Sequence, residues 1–302
     1  MAEHASKPLD PNELFAHVKD STELHVPRFL APASHGHIEI PQPFELSKPL
    51  VTHTRSELIN RTIEPLDFKI TKFMLIELAA ALILCAFFIG LARALKGGAI
   101  ARGRLRNALE AMLMYFRDSV ARPCIGGHDA DKFVPFLWTI FFFILTCNLF
   151  GLVPWLGSPT AALAVTGALA FVTFLVVVSA AVAKLGPGGF VKSFVPHMDL
   201  PLYMKIPMIF LMFPIEVFGM FVKHGVLAIR LLANMMGGHI VLAVIVAFIA
   251  ASAQTMWWYA ITPTSVFAAT ALSLLELLVA FLQAYIFTFL SALFIGMAVH
   301  PH

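Results

Sequence analysis

One arginine, Arg230, lies within a long apolar stretch, and its side chain is the first candidate for chemistry. Between residues 206 and 302 the only other Lys, Arg, Asp or Glu residues are Glu216, Lys223 and Glu276. An arginine at the centre of a membrane helix costs about 2.5–3.5 kcal/mol on insertion scales, so it usually faces a partner or a water-filled cavity and marks an ion or proton route. We therefore expect this chain to move an ion or a proton through a bilayer.

Helical spacing places the polar residues near Arg230 on two faces. At about 100° per residue, Lys223 lies about 20° from Arg230 around the helix, and Glu216 and Asn234 lie about 40° from it. These four residues are predicted to form one polar stripe. His239 is about 180° away from Arg230, on the opposite face.

The last apolar segment carries a second polar face. Glu276 and Gln283 are seven residues apart, so they share one side of a helix. Because His239 faces away from Arg230, a neighbouring helix could bring Glu276 to it. As an alternative, the charged groups form structural ion pairs, and Asn234 and Gln283 form helix–helix hydrogen bonds that contribute about 0.6 kcal/mol each. Replacing both members of an Arg230–Glu276 pair with leucine would avoid the insertion cost, which favours the functional interpretation.

The composition defines an integral membrane protein. The chain is 59% hydrophobic and 13% charged, with a mean hydropathy of +0.83, whereas a soluble domain has about 25% charged residues. Residues 1–68 are polar, have scattered prolines and contain no apolar run long enough to span. We therefore predict an extracytoplasmic, partly ordered N-terminal segment (1–68) and a membrane-embedded domain (69–302).

Neither metal ligands nor paired cysteines stand out in the sequence. Among the N-terminal histidines only His35 and His37 are close, without Cys or a carboxylate at ligand spacing, so no metal site is expected. Cys85, Cys124 and Cys147 have no paired spacing, which indicates no disulfide framework.

The first predicted span, Phe73–Leu95, is followed by a basic stretch. Lysines and arginines without an acid follow it as far as Arg106, and short basic loops stay on the cytoplasmic side. The N-terminal segment is therefore expected outside. Beyond it, apolar residues at helical spacing from Leu105 to Val120 are interleaved with charges, which predicts an amphipathic helix on the membrane surface.

The uncharged run Phe133–Ala183 is too long for one span of about 20 residues. The turn residues Gly157–Thr160 divide it into a hairpin of two spans. A Gly-Pro-Gly-Gly loop, Gly186–Gly189, is then expected between Lys184 and Lys192 on the cytoplasmic side.

The two C-terminal segments are longer than a membrane requires. As one helix, Ile206–Ser252 would be about 70 Å long against a hydrocarbon core of about 30 Å. It either breaks near Gly219 or Gly225 or forms one steeply tilted helix, and the pattern does not choose. The last helix, from about Pro263 to Val299, is also too long for a vertical span.

Three motifs carry a family resemblance. Arg230 stands in Ile229–Ile240 (IRLLANMMGGHI), Glu276 in Leu275–Phe287 (LELLVAFLQAYIF), and a third motif is Asn148–Pro154 (NLFGLVP). Together they closely resemble subunit a of the rotary F-type ATP synthase over roughly residues 70–302. The resemblance implies an all-α fold with five membrane-crossing helices, the last two long and tilted, plus an amphipathic surface helix.

The resemblance also implies a role for each polar residue. Arg230 would face the carboxylate of a rotating ring of c subunits, between two offset half-channels. The proton path would comprise Asn234, Gln283, the outward pair His239 and Glu276, and Glu216 on the cytoplasmic half-channel.

The implied function is that of a proton-conducting stator subunit with no cofactor. Its partners would be the c-ring, the b subunits of the peripheral stalk, the other ATP synthase subunits, the lipid bilayer and protons, without nucleic acid. ATP chemistry would lie in partner subunits, since this chain has no Gly-rich phosphate loop. The expected location is a bacterial inner membrane, in preference to an organelle membrane. The alternative is a secondary transporter that binds a substrate carboxylate through Arg230.

Overall fold

Helices make up most of the chain that the computed structural model describes, which is residues 20–21, 23–25, 37–42, 70–95, 104–127, 129–153, 156–194, 202–253 and 255–300. Five of these helices are long and apolar enough to cross a membrane, which confirms the predicted fold class. The helices are α1 (Lys72–Leu95), α2 (Arg104–Tyr115), α3 (Arg122–Ile125), α4 (Ala130–Gly151), α5 (Leu163–Ser193), α6 (Leu202–Ser252) and α7 (Trp258–Val299).

A small sheet precedes the helices and was not predicted. Strand β1 (Glu23–His25) pairs antiparallel with β2 (His37–Glu39), with Leu24 opposite Ile38. Most of residues 1–68, including His35, lie outside the described part of the chain, so the domain boundary at residue 68 stays a prediction.

The described part of the N-terminal segment is tied to the start of α1. The Gln42 side chain donates to the carbonyl of Ile70 at 3.0 Å and accepts from its N–H at 2.9 Å. The Asp20 carboxylate accepts from the N–H of Phe73 at 3.3 Å, which satisfies one of the free donors of a helix N-terminus.

The predicted amphipathic helix is present as α2 and α3, joined by a π-helical segment, Phe116–Ala121. Phe116 is 3% exposed and Val120 is fully buried. This apolar face packs against α4 and α7, so the segment lies on the helical bundle with its charged face outward.

The predicted hairpin is formed by α4 and α5. A 3₁₀ turn, Pro159–Ala161, separates them at the predicted position. The prediction of a loop at Gly186–Gly189 is wrong: α5 kinks at Gly186, where φ is 73°, and continues to Ser193. Pro187 lacks an N–H and has a φ suited to a first helical turn, so helix resumes at once after the kink.

The two C-terminal helices are continuous and long. Helix α6 has 51 residues and α7 has 42, or about 76 and 63 Å at 1.5 Å per residue. The suggested break near Gly219 or Gly225 does not occur, which leaves the alternative of one tilted helix. Helix α6 must tilt because it is much longer than a hydrocarbon core of about 30 Å. Helix α7 begins at Trp258, five residues before the predicted Pro263, because a proline near a helix start removes only one hydrogen bond.

The apolar core lies where α4, α5, α6 and α7 meet. Phe141, Leu231 and Phe287 are fully buried there. Helix α1 packs at the edge of this bundle through Phe88, whose ring contacts Phe142 edge to face at 5.2 Å. The core therefore fixes α6 and α7 against each other, and these are the helices that carry the polar residues.

Candidate functional site

Arg230 lies in the second half of α6 and is partly exposed. Its helix neighbours Leu227 and Leu231 are 1% and 0% exposed, so they anchor this turn in the core. No ion pair or hydrogen bond joins the guanidinium to another residue of the described ranges. The proposed structural pair of Arg230 with Glu276 is therefore not formed. A permanent charge, held by buried neighbours and without an acidic partner among the described residues, is the central feature of the site.

Glu216 and Lys223 occupy the predicted stripe on the Leu202 side of Arg230. The Lys223 Nζ lies 4.0 Å from Glu216 Oε1, and both side chains are about half exposed. This ion pair agrees with the predicted shared face. Arg230 lies two turns further along α6 and takes no part in the pair.

Asn234 and Gln283 join α6 to α7 one turn beyond Arg230. Asn234 Nδ2 donates to Gln283 Oε1 at 2.8 Å. Gln283 is 1% exposed, and its Nε2 has no partner among the described residues. A buried amide hydrogen with no acceptor is costly, so this amide is a candidate donor for a further polar group.

Glu276 meets α6 at a glycine. A Cβ built on Gly238 would overlap Glu276 Oε1 and lie 2.9 Å from Cδ and 3.1 Å from Cγ. The absence of a side chain at Gly238 therefore leaves the space that the carboxylate occupies.

The predicted meeting of His239 and Glu276 is only partly reproduced. Glu276 lies against Gly238, the residue before His239, but no hydrogen bond or ion pair links the two side chains in the described structure. The His239 Nε2 is buried and has no partner there. The structure thus brings the two groups to neighbouring positions, and their role as a pair stays a prediction.

The polar residues divide along the α6 axis on either side of Arg230. Glu216 precedes Arg230 by fourteen residues, or about 21 Å, and His239 follows it by about 14 Å. Together these distances approximate the hydrocarbon thickness of about 30 Å. Arg230 consequently lies between one polar region near the Leu202 end of α6 and another near its Ser252 end.

A buried hydrogen-bond network sets the position of α7, and the sequence did not predict it. Asn148 Nδ2 donates to the carbonyl of Ala280 at 3.2 Å, one turn beyond Glu276. Thr160 Oγ1 donates to Asn148 Oδ1 at 2.7 Å, and the Ser158 hydroxyl is hydrogen-bonded to Thr160 Oγ1 at 2.8 Å. Asn148 belongs to a quoted motif, but only the fold reveals its partner 132 residues away.

Charged residues gather at the end of the bundle where α4 begins and α5 and α7 end. Asp129 accepts a hydrogen bond from Lys184 and lies 4.0 Å from His300 Nε2. The hydrogen bond from Lys184 holds the pKa of the Asp129 carboxyl below its ordinary value. This charged end agrees with the side predicted to be cytoplasmic.

A second ion pair at the same end joins the surface helix to α4. Arg117 forms a bidentate pair with Asp131, at 2.9 and 3.0 Å. The hydrogen bonds that the Arg117 guanidinium donates to the Asp131 carboxylate raise the pKa of Arg117. No cluster of three or more His, Cys, Asp or Glu side chains that could hold a metal occurs in the described residues.

Five long apolar helices, of which the last two carry an arginine, a histidine and carboxylates within their apolar runs, define a polytopic membrane protein. The family model described as ATP synthase A chain matches residues 74–296. The chain therefore belongs to the family of ATP synthase subunit a, a membrane subunit of the Fo sector.

Bacterial relatives agree with this assignment over most of the chain. The chain is 41% identical to ATP synthase subunit a of Myxococcus xanthus over 240 residues, which is 78% of this chain and 76% of the relative. It is 37% identical to that of Anaeromyxobacter sp. over 294 residues, covering 95% and 70% of the two chains. It is 42% identical to that of Chloroherpeton thalassium, covering 77% and 67%.

Proposed function

We propose that this chain is the proton-conducting stator subunit of an F-type ATP synthase, in which two offset half-channels meet a rotating c-ring at Arg230. One observation carries the proposal. Arg230 is a permanent cation on a continuous helix, without an acidic partner in the described chain, between Glu216 on one side and His239 with Glu276 on the other.

The electrostatics of a ring carboxylate explain why an arginine is needed. A protonated carboxyl is neutral and can face lipid, whereas the ionised form is strongly disfavoured there unless a fixed cation stabilises it. Arginine does not deprotonate in proteins, so it attracts the carboxylate without itself passing a proton. It therefore separates the two access routes while the ring turns.

The axial order of the polar residues supports two routes that open on opposite sides. A proton would enter near His239 and Glu276, travel on the ring, and leave near Glu216. Each charge that crosses gains about 2.3 kcal/mol per 100 mV. Because the routes are offset, this energy favours one direction of rotation.

The partners and location follow from the same proposal. The c-ring would contact the α6 face that carries Arg230, and the stalk b subunits and other ATP synthase subunits would complete the complex. The chain would lie in a bacterial inner membrane as a multi-pass, non-catalytic subunit. A secondary transporter would instead be expected to show repeated halves and interrupted helices, whereas α6 and α7 are continuous.

Substitution of Arg230 tests the stator role. Arg230→Ala should abolish ATP-driven proton pumping and ATP synthesis while the complex still assembles with its ring. Arg230→Lys should also fail, because a buried ammonium deprotonates more readily than a guanidinium. Substantial coupled synthesis by the alanine variant would refute the proposal.

Substitution of Glu276 tests the outward route. Glu276→Gln keeps the side-chain shape but removes the exchangeable proton, so passive proton conductance should fall in vesicles stripped of the soluble catalytic sector. The exchange His239→Glu with Glu276→His should recover part of the flux lost in either single variant. Unchanged conductance in Glu276→Gln would assign this pair to helix packing.

A further inference from the structure

A cavity of about 350 Å³ lies between α5, α6 and α7. Its walls are mainly apolar, formed by phenylalanine and methionine side chains, and include the last turn of α5 and the end of α7. Three polar side chains of α6 reach it: Glu216, Lys223 and His224. A water molecule occupies about 30 Å³ in the liquid, so the cavity has room for a chain of several waters.

His224 is the buried titratable group of this cavity, and the site described above does not use it. The side chain is 5% exposed, and its ring lies between Phe174 and Phe294, with ring centroids 5.3 and 5.0 Å away. Its Nδ1 lies 2.9 Å from the carbonyl oxygen of Met220. Since a carbonyl oxygen can only accept, Nδ1 carries the hydrogen and donates it.

The tautomer leaves a lone pair on the other ring nitrogen. Nε2 is buried and has no hydrogen-bond partner among the described residues, which is destabilising for an acceptor. A phenylalanine would fill the same position between two aromatic rings without that penalty. The imidazole therefore contributes something other than packing, and its basic nitrogen is the group that packing leaves unused.

Along the α6 axis His224 lies between Glu216 and Arg230, about 120° around the helix from the arginine. His224 precedes Arg230 by six residues, an axial separation of about 9 Å, and follows Glu216 by about 12 Å. It thus lies between the exposed carboxylate and the arginine. Glu216 and Lys223 are the charged groups that face the cavity from α6, and the described lining residues of α5 and α7 are uncharged.

We propose that His224 is a proton-transfer residue of the half-channel on the Glu216 side, with the cavity as its water-filled vestibule. The inference rests on the proposed stator function and adds a residue to its exit route. The Nε2 lone pair accepts a proton from a hydronium ion on the Arg230 side, which leaves a water molecule and the imidazolium. The Nε2–H bond then breaks, and the proton passes to a water on the Glu216 side. The Nδ1–H bond to Met220 stays intact, so the ring returns to its starting state.

Passive proton conductance in vesicles that carry the complex, stripped of its soluble catalytic sector, tests this role. His224→Phe preserves the aromatic packing but removes the exchangeable nitrogen, so conductance should fall roughly 100-fold or more, since a positioned proton-transfer group contributes about 10²- to 10⁴-fold. His224→Asn keeps a donor for the Met220 carbonyl, and its conductance should fall by a similar factor. Thr173→Val is the matched control: it removes a buried hydroxyl that bonds only its own helix, outside the cavity, and should leave conductance unchanged.

The pH profile separates proton transfer from packing. In the wild type, conductance should respond to the pH on the side where α5 and α7 end. The part of this response that comes from protonation of the His224 imidazole should disappear in both His224 variants. Wild-type conductance and pH profile in His224→Phe would overturn the inference, and if that variant does not assemble, His224→Asn decides in the same way. Loss of pumping in Arg230→Ala, measured in parallel, would show that the stator function stands even if the His224 role fails.

Discussion

Gly238→Ala tests whether the placement of Glu276 matters for proton flux, without changing a titratable group. The new Cβ would overlap Glu276 Oε1 and lie within 3.1 Å of Cγ and 2.9 Å of Cδ. The carboxylate must therefore move away from α6. Since a displacement of about 1 Å at a reacting group can cost roughly 100-fold, we expect passive proton conductance to fall by about 10- to 100-fold.

The neighbouring glycine provides the control. A Cβ on Gly237 meets no atom within 4 Å, so Gly237→Ala should leave conductance unchanged. Both substitutions favour the helix by about 0.8–1.0 kcal/mol, and the comparison therefore isolates the contact with Glu276. Adding Glu276→Asp, which is one methylene shorter, should restore part of the flux to Gly238→Ala. Equal conductance in the Gly237 and Gly238 variants would refute the reasoning.

Three further predictions address the helix pair, the charged end and the topology. A double-mutant cycle with Asn234→Ala and Gln283→Ala should give a coupling of about 0.6 kcal/mol and not more than about 1.7, measured by unfolding in detergent; zero coupling would contradict the 2.8 Å hydrogen bond. The hydrogen bond from Lys184 is the main cause of the lowered pKa of Asp129. The ionised carboxylate therefore stabilises the folded protein above its ordinary pKa of 3.8, and this contribution is lost as the pH falls through the folded-state pKa. Asp129→Asn should therefore lower the thermal midpoint near neutral pH and flatten its acid dependence, and an unchanged acid branch would contradict this. Cysteines introduced at Ala5, outside the described residues, and at Val299 should react with an impermeant reagent from opposite sides of the membrane, whereas labelling from one side would indicate an even number of crossings.

Local sequence patterns predicted the features that depend on one helix alone. The apolar runs located the five long helices to within a few residues, apart from the end of α5 and the start of α7. Periodicity placed Glu216 and Lys223 on one face, as their ion pair shows. These predictions succeed because helical spacing fixes the angle between residues two turns apart.

Several contacts that depend on two or more helices were not predicted. The bond from Asn148 to Ala280 spans 132 residues, and the cluster of Asp129, Lys184 and His300 joins three helix ends. The carboxylate of Glu276 lies against Gly238, beside His239, and the pairing of Glu276 with His239 stays a prediction. The rotation of one helix against another depends on core packing, and no single segment encodes it.

Glycine and proline interrupt the helices less than the sequence pattern allows. Gly219 and Gly225 lie within a continuous α6 because an isolated glycine costs a helix only about 1 kcal/mol, which packing can offset. At Gly186 and Pro187 the same residue types produce a kink in α5 in place of the predicted loop.

The most direct test of two separate access routes is one-sided labelling of cysteines on either side of Arg230. After replacement of Cys85, Cys124 and Cys147, the variants Glu216→Cys and Glu276→Cys would be treated with a small impermeant thiol reagent added to one face of sealed vesicles. If two half-channels meet at Arg230, Glu216→Cys should react only from the face where α5 and α7 end, and Glu276→Cys should react only from the opposite face. Reaction of both cysteines from the same face would contradict the placement of Arg230 between two half-channels.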